Sequence, residues 1–350
     1  MRIKKIFGDK YIELTGSIHN HTKYSYDSQA EPYKIIQDAK KQALDYILIS
    51  DHSNNEAMKD KVFMNEKDIF VIVGFELNDK KQEHHYLVFG ETNLQLFDTA
   101  IEYTKYYFNK ENTATFAAHP FDKRAVASMK KYIWENTDIT DFHGIEIWNA
   151  VSDWIEKLNP KRNGFFFVFF PSFFIKSADK EAIKWWDDLN KSGMKKSAIG
   201  SSDAHTFPVK KFGITFRFLT HNFLFKTVRT NILIPYKENI EKEDILKALK
   251  NGNSYIINYK RGYPDNFYAG ITDGKDKKAI FGQEIDFTKG LKLYFHSPYL
   301  VKAKCFRNGE KIAEHTDNKG VFEIKEKGNY RLEIERNFKK WIYTNNIYVK

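Results

Sequence analysis

The segment IHNHTKYSYDS, residues 18–28, comes after a β-rich run and carries three side chains that can bind a metal ion, His19, His21 and Asp27. In an extended segment, residues two apart point to the same side, so we expect His19 and His21 to bind one metal together. A lone His-x-His pair in a strand is more often structural than metal-binding. The segment therefore indicates a metal site only if further ligands occur later in the chain.

Metal-competent residues recur near the ends of the strands predicted after this segment. They come in the order Asp51-His52, Glu76, His85, His119 and Asp203-Ala204-His205. In a β/α barrel the C-terminal ends of the strands converge on one rim, so residues far apart in sequence meet there. His85 is the exception, because it lies at the start of its predicted strand. The series indicates a site for two or three divalent metal ions, and imidazole with carboxylate suits zinc, manganese or iron.

Short β-rich runs alternate with longer amphipathic runs between Ile12 and about Lys250, which predicts β/α architecture. The predicted strands are 46–50, 69–75, 86–89, 113–118, 144–148 and 197–200, and the predicted helices are 31–44, 94–108, 124–136 and 180–191. After about Asn251 the pattern changes to strands alone, at 291–295, 302–306, 321–324, 330–334 and 342–349. Asn308-Gly309 is a strong type I′ hairpin signal. The last hundred residues are therefore predicted to form a small antiparallel β-sandwich.

The amino-acid composition excludes some kinds of site and favours some kinds of partner. The single cysteine, Cys305, excludes an intramolecular disulfide framework and a cysteine-rich zinc site. The net charge of +10 favours an anionic partner, but the lysines are spread along the chain, so a solvated surface is favoured over a nucleic-acid patch. The first residues hold no long apolar run with a cleavage site, which favours a cytoplasmic protein.

The stretch GFFFVFFPSFFI, residues 164–175, is too short to span a bilayer and contains Pro171. It is not predicted to be a transmembrane helix. Two interpretations stay open. The favoured one is an insertion that packs in the core or against another subunit, since aromatic clusters usually serve packing. The other is an aromatic lid over a pocket or a contact with a membrane surface.

Six separated motifs carry a family resemblance. HNHTKYSYDS, ISDH, GFE, HYLVFG, AHP and SSDAH resemble, in that order, the motifs of the polymerase and histidinol phosphatase (PHP) superfamily. The resemblance covers about residues 16–205 and implies a distorted seven-stranded β/α barrel with metals at its C-terminal rim. His84 is an alternative to His85, but the His-x-Leu-x-x-Gly run that begins at His85 makes His85 the better match.

The resemblance also implies roles for nine residues. Glu76 would bridge two metals, of which the first also binds His19, His21 and Asp203, and the second also binds His85 and His119. Asp27, His52 and His205 match the positions that hold a third metal, or that donate protons when only two metals bind. Some members carry His where this chain has Asp27. Asp51 would orient a ligand rather than bind metal.

A second resemblance covers the C-terminal part. RNGEKIAE, GNYRLE and TNNIYVK are similar to the β-domain of a PHP branch that includes carbamate (carbaryl) hydrolases. Against the layout of that branch, residues 159–177 are an insertion. We therefore expect a PHP-type hydrolase domain at residues 1–250 and a β-sandwich domain at residues 251–350.

These resemblances imply attack by a hydroxide that bridges two metals, on a phosphoric monoester or diester. His205 is the first choice to protonate the leaving group, with Asp27 and His52 as alternatives. Lys123 and Arg124 are candidates to bind the phosphate, or are simply charged residues that open an exposed helix. The expected substrate is a small anionic phosphoester, with a nucleotide or nucleic acid as a further candidate.

Two other functions stay open. The same hydroxide can attack the carbonyl of a carbamate, ester or amide, and the residues do not distinguish this chemistry from phosphoester hydrolysis. A non-catalytic protein, with structural metals and a β-domain that recognises a polymer, is the alternative of a different class. An oligomer is compatible with each of these functions.

Overall fold

The computed structural model describes residues 1–126, 129–159, 170–211 and 214–350. Its strands are β1 Arg2–Ile6, β2 Asp9–Asn20, β3 Tyr46–His52, β4 Phe70–Leu77, β5 Tyr86–Phe89, β6 Ala114–Ala117, β7 Gly144–Asn149, β8 Ser197–Ser201, β9 Phe207–Lys211, β10 Ile214–Phe218, β11 Val228–Pro235, β12 Ser254–Asn258, β13 Tyr268–Thr272, β14 Lys278–Ala279, β15 Glu284–Ile285, β16 Lys292–Arg307, β17 Glu310–Glu323, β18 Gly328–Arg336, β19 Lys339–Thr344 and β20 Ile347–Val349.

The α-helices of the described residues are α1 Pro32–Lys41, α2 Lys61–Met64, α3 Ala100–Phe108, α4 Ala150–Ile155, α5 Lys180–Lys191, α6 His221–Leu224 and α7 Lys242–Asn251. Short 3-10 helices lie at Glu56–Lys59, Pro171–Phe173 and Tyr259–Arg261. Helices alternate with strands up to Asn251, and only strands and one 3-10 helix come after it. The predicted α/β class is therefore confirmed.

Strands β2 to β8 pair in chain order and bring the predicted site residues to one end of the sheet. β2, β3 and β4 are parallel, and so are β6, β7 and β8. β5 is antiparallel to β4 and to β6, so the other six strands share one direction. A parallel bridge between Asn20 and Ala204 joins the end of β2 to the segment after β8. The carboxyl ends of six strands therefore lie at one rim.

The reversed direction of β5 explains why His85 precedes its strand. Leu77 at the end of β4 pairs with Tyr86 at the start of β5. The start of an antiparallel strand lies beside the end of its neighbour. His85 consequently lies at the same rim as the residues that come after the other strands.

The helix predicted at 180–191 is confirmed as α5. Asp179 caps it by accepting hydrogen bonds from the backbone N–H groups of Glu181 and Ala182, at 2.8 and 2.9 Å. Its buried face packs into a cluster with residues of β7 and of the 134–142 segment; the helix members are Ala182, Trp185, Trp186 and Leu189. This spacing of three and four residues is the pattern that predicted the helix.

The prediction of a helix at 124–136 is wrong for the described residues of that range. There the backbone N–H of Trp134 donates to the carbonyl of Pro120 at 2.8 Å, and that of Tyr132 donates to Asp122 Oδ2 at 3.3 Å. These groups bond back to the preceding loop instead of to residues four positions earlier. Burial of the Trp134 indole in the core stabilises this conformation over the local helical pattern.

Helix α3 begins later than its predicted start at 94. Thr99 and Glu102 form a reciprocal capping box in front of Ala100, in which the Glu102 N–H donates to Thr99 Oγ1 and the Thr99 N–H donates to Glu102 Oε2. This arrangement satisfies backbone donors that a helix start leaves open. The cap therefore fixes the helix start several residues beyond 94.

The C-terminal strands enclose an apolar cluster of their own. Most of its members lie between β12 and β20, with Ile6, Tyr11 and Leu233 added from β1, β2 and β11. Asn308 and Gly309 have φ values of 50° and 83° between paired Arg307 and Glu310, so the predicted type I′ hairpin is confirmed. The division of the chain at residues 250 and 251 stays a prediction, as does the sandwich arrangement of these strands.

The Phe-rich stretch is only partly described, since residues 164–169 lie outside the described residues. Phe173 is exposed, whereas Ile175 is buried in the same core cluster as Trp134 and α5. The backbone N–H groups of Lys176 and Ser177 donate to Asp153 Oδ2 at 2.5 and 3.0 Å. The insertion therefore returns to the core at a fixed point, and both interpretations of its aromatic part stay open.

Among the described helices, none is both long and apolar enough to cross a membrane.

Candidate metal centre

Glu76 lies at the centre of a buried cluster of imidazoles and carboxylates. Its Oε2 is 3.0 Å from His19 Nε2 and 3.3 Å from His21 Nε2. Its Oε1 is 2.7 Å from His85 Nδ1 and 3.3 Å from His119 Nε2. Each oxygen of this carboxylate thus faces at least two imidazoles, which is the arrangement that a bridging ligand requires.

Asp203 approaches the same two histidines as the Oε2 side of Glu76. Its Oδ1 is 3.4 Å from His19 Nε2 and 3.4 Å from His21 Nε2. Three residues of the centre have backbone in the left-handed region, with φ of 63° at His19, 27° at His119 and 52° at Asp203. Each costs on the order of 1–3 kcal/mol for a residue other than glycine. Such strain is characteristic of sites whose geometry is fixed by function.

The expectation that His19 and His21 share one side of an extended strand is wrong in its geometry. The pairing of β2 with β3 is irregular between Ser17 and Asn20, and His19 within this bulge has a left-handed backbone. A bulge re-aims side chains because it breaks the alternation of the strand. The two histidines still reach the same carboxylate oxygen of Glu76, although not by alternation.

Asp27 forms the outer part of the cluster. Its Oδ2 lies 3.1 Å from His205 Nε2 and 3.3 Å from His52 Nε2. The Asp27 side chain is 24% exposed, more than that of any other of the nine predicted residues. His52 also reaches inward, with Nδ1 3.3 Å from Glu76 Oε2. Asp27 therefore marks the side on which the cluster opens to solvent.

The donor atoms fit divalent cations. Within the centre, four groupings have ligand atoms that all lie within 4.8 Å of one another: His19-His21-Glu76, His19-His119-Asp203, His52-Glu76-His85 and His21-Asp27-His52-His205. Ring nitrogens of four of these histidines are buried without a hydrogen bond from any described residue: His21 Nε2, His52 Nδ1, His85 Nε2 and His119 Nδ1. Buried polar atoms are rarely left without a partner. Metal ions would satisfy several of them at once.

The groupings differ in two respects from those that the resemblance implies. His119 groups with His19 and Asp203, and His52 groups with Glu76 and His85. His119 remains within 3.3 Å of Glu76, so it borders both sets of donors. The centre is thus one connected set of ligands rather than three separate sites.

Charge in the centre is negative at its carboxylates. Burial opposes ionisation of Glu76 and Asp203, but the surrounding imidazoles, His19 foremost, outweigh burial and hold both pKa values well below their usual range. Burial lowers the pKa of His85 to about 4, even beside Glu76. At His205 burial also lowers the pKa, but Asp203 and Asp27 outweigh it and raise the pKa to about 9. Ionised carboxylates beside imidazoles are suited to divalent metals.

Two residues of this centre, Glu146 and Asn149, were not predicted from the sequence. Glu146 Oε1 lies 2.9 Å from His19 Nδ1, and its Oε2 accepts a 2.7 Å hydrogen bond from the backbone N–H of His119. Asn149 Nδ2 donates to Glu146 Oε2 at 3.0 Å and to Asp203 Oδ2 at 3.1 Å. The signal in the sequence is a carboxylate inside the apolar strand GIEIWN, since a buried charge needs partners.

Substitution of Glu146 by Gln is expected to weaken metal binding by about 10- to 100-fold, the usual effect of losing a partner that orients a ligand. Glu146 contacts three donors, and the single oxygen of Gln cannot replace both carboxylate oxygens. Titration of metal against a chelating dye measures the change. Glu111→Gln, at an exposed position, is the matched control. Equal metal affinity in the two variants would show that Glu146 does not orient the ligands.

Asp51 and His84 lie next to the centre rather than within it. Asp51 accepts hydrogen bonds from the backbone N–H and the hydroxyl of Thr22, at 2.6 and 2.7 Å, which fixes the residue after His21. His84 pairs with Asp79 through Nδ1 at 2.7 Å, and its Nε2 accepts the backbone N–H of Asn136 at 3.1 Å. Both nitrogens of His84 are thus engaged, whereas His85 faces Glu76.

Lys123 and Arg124 are paired with carboxylates. Lys123 Nζ lies 2.9 Å from Asp179 and 3.0 Å from Glu181. Arg124 binds Asp122 at 2.7 Å, and its guanidinium carbon lies 5.7 Å from the ring centroid of Tyr132. Tyr132 is itself 4.7 Å from the His85 ring. Arg124 is therefore separated from the centre by one aromatic ring.

The model of the PHP domain family matches residues 17–188. The chain carries a PHP domain match. This match covers just under half of the chain and supports a place in the PHP superfamily. It includes seven of the nine predicted ligands, since Asp203 and His205 lie beyond its end.

Two solved structures are similar to the chain. A protein of Bifidobacterium adolescentis assigned as a metal-dependent phosphoesterase is 13% identical, with a TM-score of 0.32, over 54% of this chain and 86% of that one. Endonuclease Q, solved with a 27-mer duplex containing an abasic lesion, is 15% identical, with a TM-score of 0.42, over 79% of this chain. The match spans 60% of the endonuclease Q chain. No match was found among curated proteins.

Proposed function

We propose that the protein is a metal-dependent phosphoesterase whose centre holds two or three divalent ions. The observation that carries this proposal is the position of Glu76, whose two oxygens face separate sets of histidines. The ligands would be His19, His21, Asp27, His52, Glu76, His85, His119, Asp203 and His205. The PHP domain match supports a metal-dependent hydrolase, and phosphoester hydrolysis is the activity we propose for it.

The pairing of β2 to β8 in chain order supports a distorted seven-stranded barrel formed by these strands. A β-sandwich after this barrel is part of the same proposal. The bridge between Asn20 and Ala204 lies where such a barrel would close. Placement in the branch that includes carbamate hydrolases stays a prediction, as does the cytoplasmic location.

The bound cations would supply Lewis acidity, which activates water and neutralises charge on the phosphoryl oxygens. The residues of the centre supply the positioning of the ligands and the proton for the leaving group. Glu76 and Asp203 fix the positions of the imidazoles, and the rim of the centre opens at Asp27. His205 remains our first choice as proton donor to the leaving oxygen because its Nε2 lies 3.1 Å from Asp27 at this opening. Asp27 and His52 are the alternative donors, and all three are ligands when a third ion binds.

Lys123 and Arg124 stay proposed phosphate contacts. Lys123 must first leave Asp179 and Glu181, and Arg124 must first leave Asp122. Arg124 is the better placed of the two because it lies against Tyr132 beside His85.

Removal of metal is expected to abolish activity, because the proposed chemistry depends on Lewis acidity that the side chains of the centre do not supply. Purified protein should carry two to three divalent ions per chain by elemental analysis. Treatment with a chelator should remove hydrolysis of p-nitrophenyl phosphate and bis-p-nitrophenyl phosphate, and addition of zinc, manganese or iron should restore it. Asp203→Ala is expected to lower both metal content and activity.

Activity on a naphthyl carbamate alone would instead assign the protein to carbonyl hydrolysis, which the same donor set can support. Protein without stoichiometric metal, together with unchanged activity in Asp203→Ala, would contradict the hydrolase proposal. Metal-loaded protein inactive on all three substrates would favour a non-catalytic binding protein.

A further inference from the structure

Five aromatic rings stack in sequence through one side of the centre. Ring centroids are 5.0 Å apart for Tyr26 and His52, 4.7 Å for His52 and His21, 4.0 Å for His21 and His205, and 5.1 Å for His205 and Phe207. The interplanar angles are 25°, 32°, 17° and 9°, so the pair of His52 and His21 is tilted and the other three pairs are stacked. We call these five residues the ring stack. Its inner members are three proposed ligands, and its ends are Tyr26 and Phe207.

Tyr26 ends the ring stack at the opening of the centre. Its side chain is 72% exposed although one face covers His52, so its other face is presented to solvent. In the described part of the chain, no second ring and no cation lies against that face. Tyr26 directly precedes Asp27, the most exposed residue of the centre. A group that enters beside Asp27 therefore meets the free face of Tyr26.

An exposed aromatic face at the mouth of a charged site favours a planar ligand. Aromatic rings pair at centroid distances of about 4.5–7 Å, and such pairs contribute affinity beyond burial of area. Stacking on an aromatic side chain tolerates different rings because every planar ring presents a π face. Another ring against Tyr26 would continue a stack that already runs through His52, His21 and His205.

We propose that Tyr26 is a specificity residue that stacks an aromatic group of the substrate on the outer end of the ring stack. This inference rests on the proposed phosphoesterase function, because it places the phosphoryl group at the metals beside Asp27. The substrate class is accordingly a phosphoester whose leaving portion carries a planar ring.

The test compares two size-matched phosphonates, which cannot be hydrolysed at the P–C bond. Benzylphosphonate and cyclohexylmethylphosphonate bind to metal-loaded protein in calorimetric titrations, and their affinity ratio measures the preference for a planar ring. We expect the native protein to prefer the benzyl compound, and Tyr26→Ala to lower this preference by about 3- to 10-fold. Tyr26→Phe should retain it. Tyr33→Ala, at an exposed tyrosine on α1, is the matched control and should leave the ratio unchanged.

Three outcomes would overturn the inference: absence of binding, no preference in the native protein, or the same preference in Tyr26→Ala. Hydrolysis of aryl phosphates measured alongside separates the two proposals. A preference that depends on Tyr26 without any hydrolysis supports this inference and contradicts the proposed function. Hydrolysis with a preference independent of Tyr26 supports the proposed function and contradicts this inference.

Discussion

Replacement of Glu76 by Gln is expected to lower kcat/KM for phosphoesters by at least about 10³-fold, because metal ions supply several kcal/mol of charge stabilisation in such reactions. Glu76 is buried, and its two oxygens are the shared partner of five histidines. Gln keeps the shape of the side chain but removes the charge and turns one acceptor into a donor. Metal content should fall together with activity, measured by elemental analysis and steady-state kinetics on the same preparations.

The matched control for this change is Glu323→Gln, at an exposed glutamate in β17. Its kinetics and metal content should equal those of the native protein. Glu76→Asp retains the charge on a shorter side chain and should keep part of the metal, so it separates loss of charge from loss of the fold. Unchanged metal content in folded Glu76→Gln protein would contradict the bridging role of Glu76.

Much of this centre was predictable because its side chains are of the types that bind metals and come after strands in a regular order. Parallel strands bring their ends together, so the sequence predicted that His52, His119 and Asp203 would meet. All nine predicted residues lie in the cluster. The left-handed backbone at His19 was not predictable, since it depends on contacts with Glu76 and Glu146 from distant strands.

The site residues that were not predicted are those whose role depends on contacts with segments remote in sequence. Glu146 lies between Ile145 and Ile147 in a strand, so its sequence resembles an alternating strand with one polar face. Its environment is set by β2 and the loop after β6, both remote in sequence. The prediction of a helix at 124–136 was wrong for a similar reason. Burial of Trp134 outweighs the weak preference of the surrounding residues for a helix.

The largest effect on stability is expected at the ion pair between Asp187 in α5 and Arg331 in β18. Arg331 Nε and Nη2 donate to the two oxygens of Asp187 at 2.9 and 2.7 Å, and Nη1 donates to Glu333 at 2.8 Å. The Arg331 side chain is 2% exposed. This pair is a buried charged contact between the helix and the C-terminal strands, so its loss would act at their junction.

Asp187→Ala is expected to lower the free energy of unfolding by about 3–5 kcal/mol, because it leaves a buried guanidinium with only one carboxylate. Urea unfolding measures this change. The neighbouring Asp188 offers a matched control, since it forms an exposed i,i+4 pair with Lys184. Asp188→Ala should cost no more than about 0.5 kcal/mol. Equal costs in the two variants would show that burial of the Arg331 pair has no special effect.

A double variant shows whether the ion pair itself stabilises the protein, or whether only the loss of one partner destabilises it. Burial raises the pKa of Asp187 although Arg331 acts in the opposite direction, so desolvation outweighs the attraction at this carboxylate. Asp187→Leu combined with Arg331→Met is therefore expected to unfold within about 1 kcal/mol of the native protein, since apolar groups of similar volume can replace a buried pair. Glu333 keeps Lys340 as a partner at 2.8 Å in that variant. A double variant as unstable as Asp187→Ala would instead assign net stabilisation to the ion pair itself.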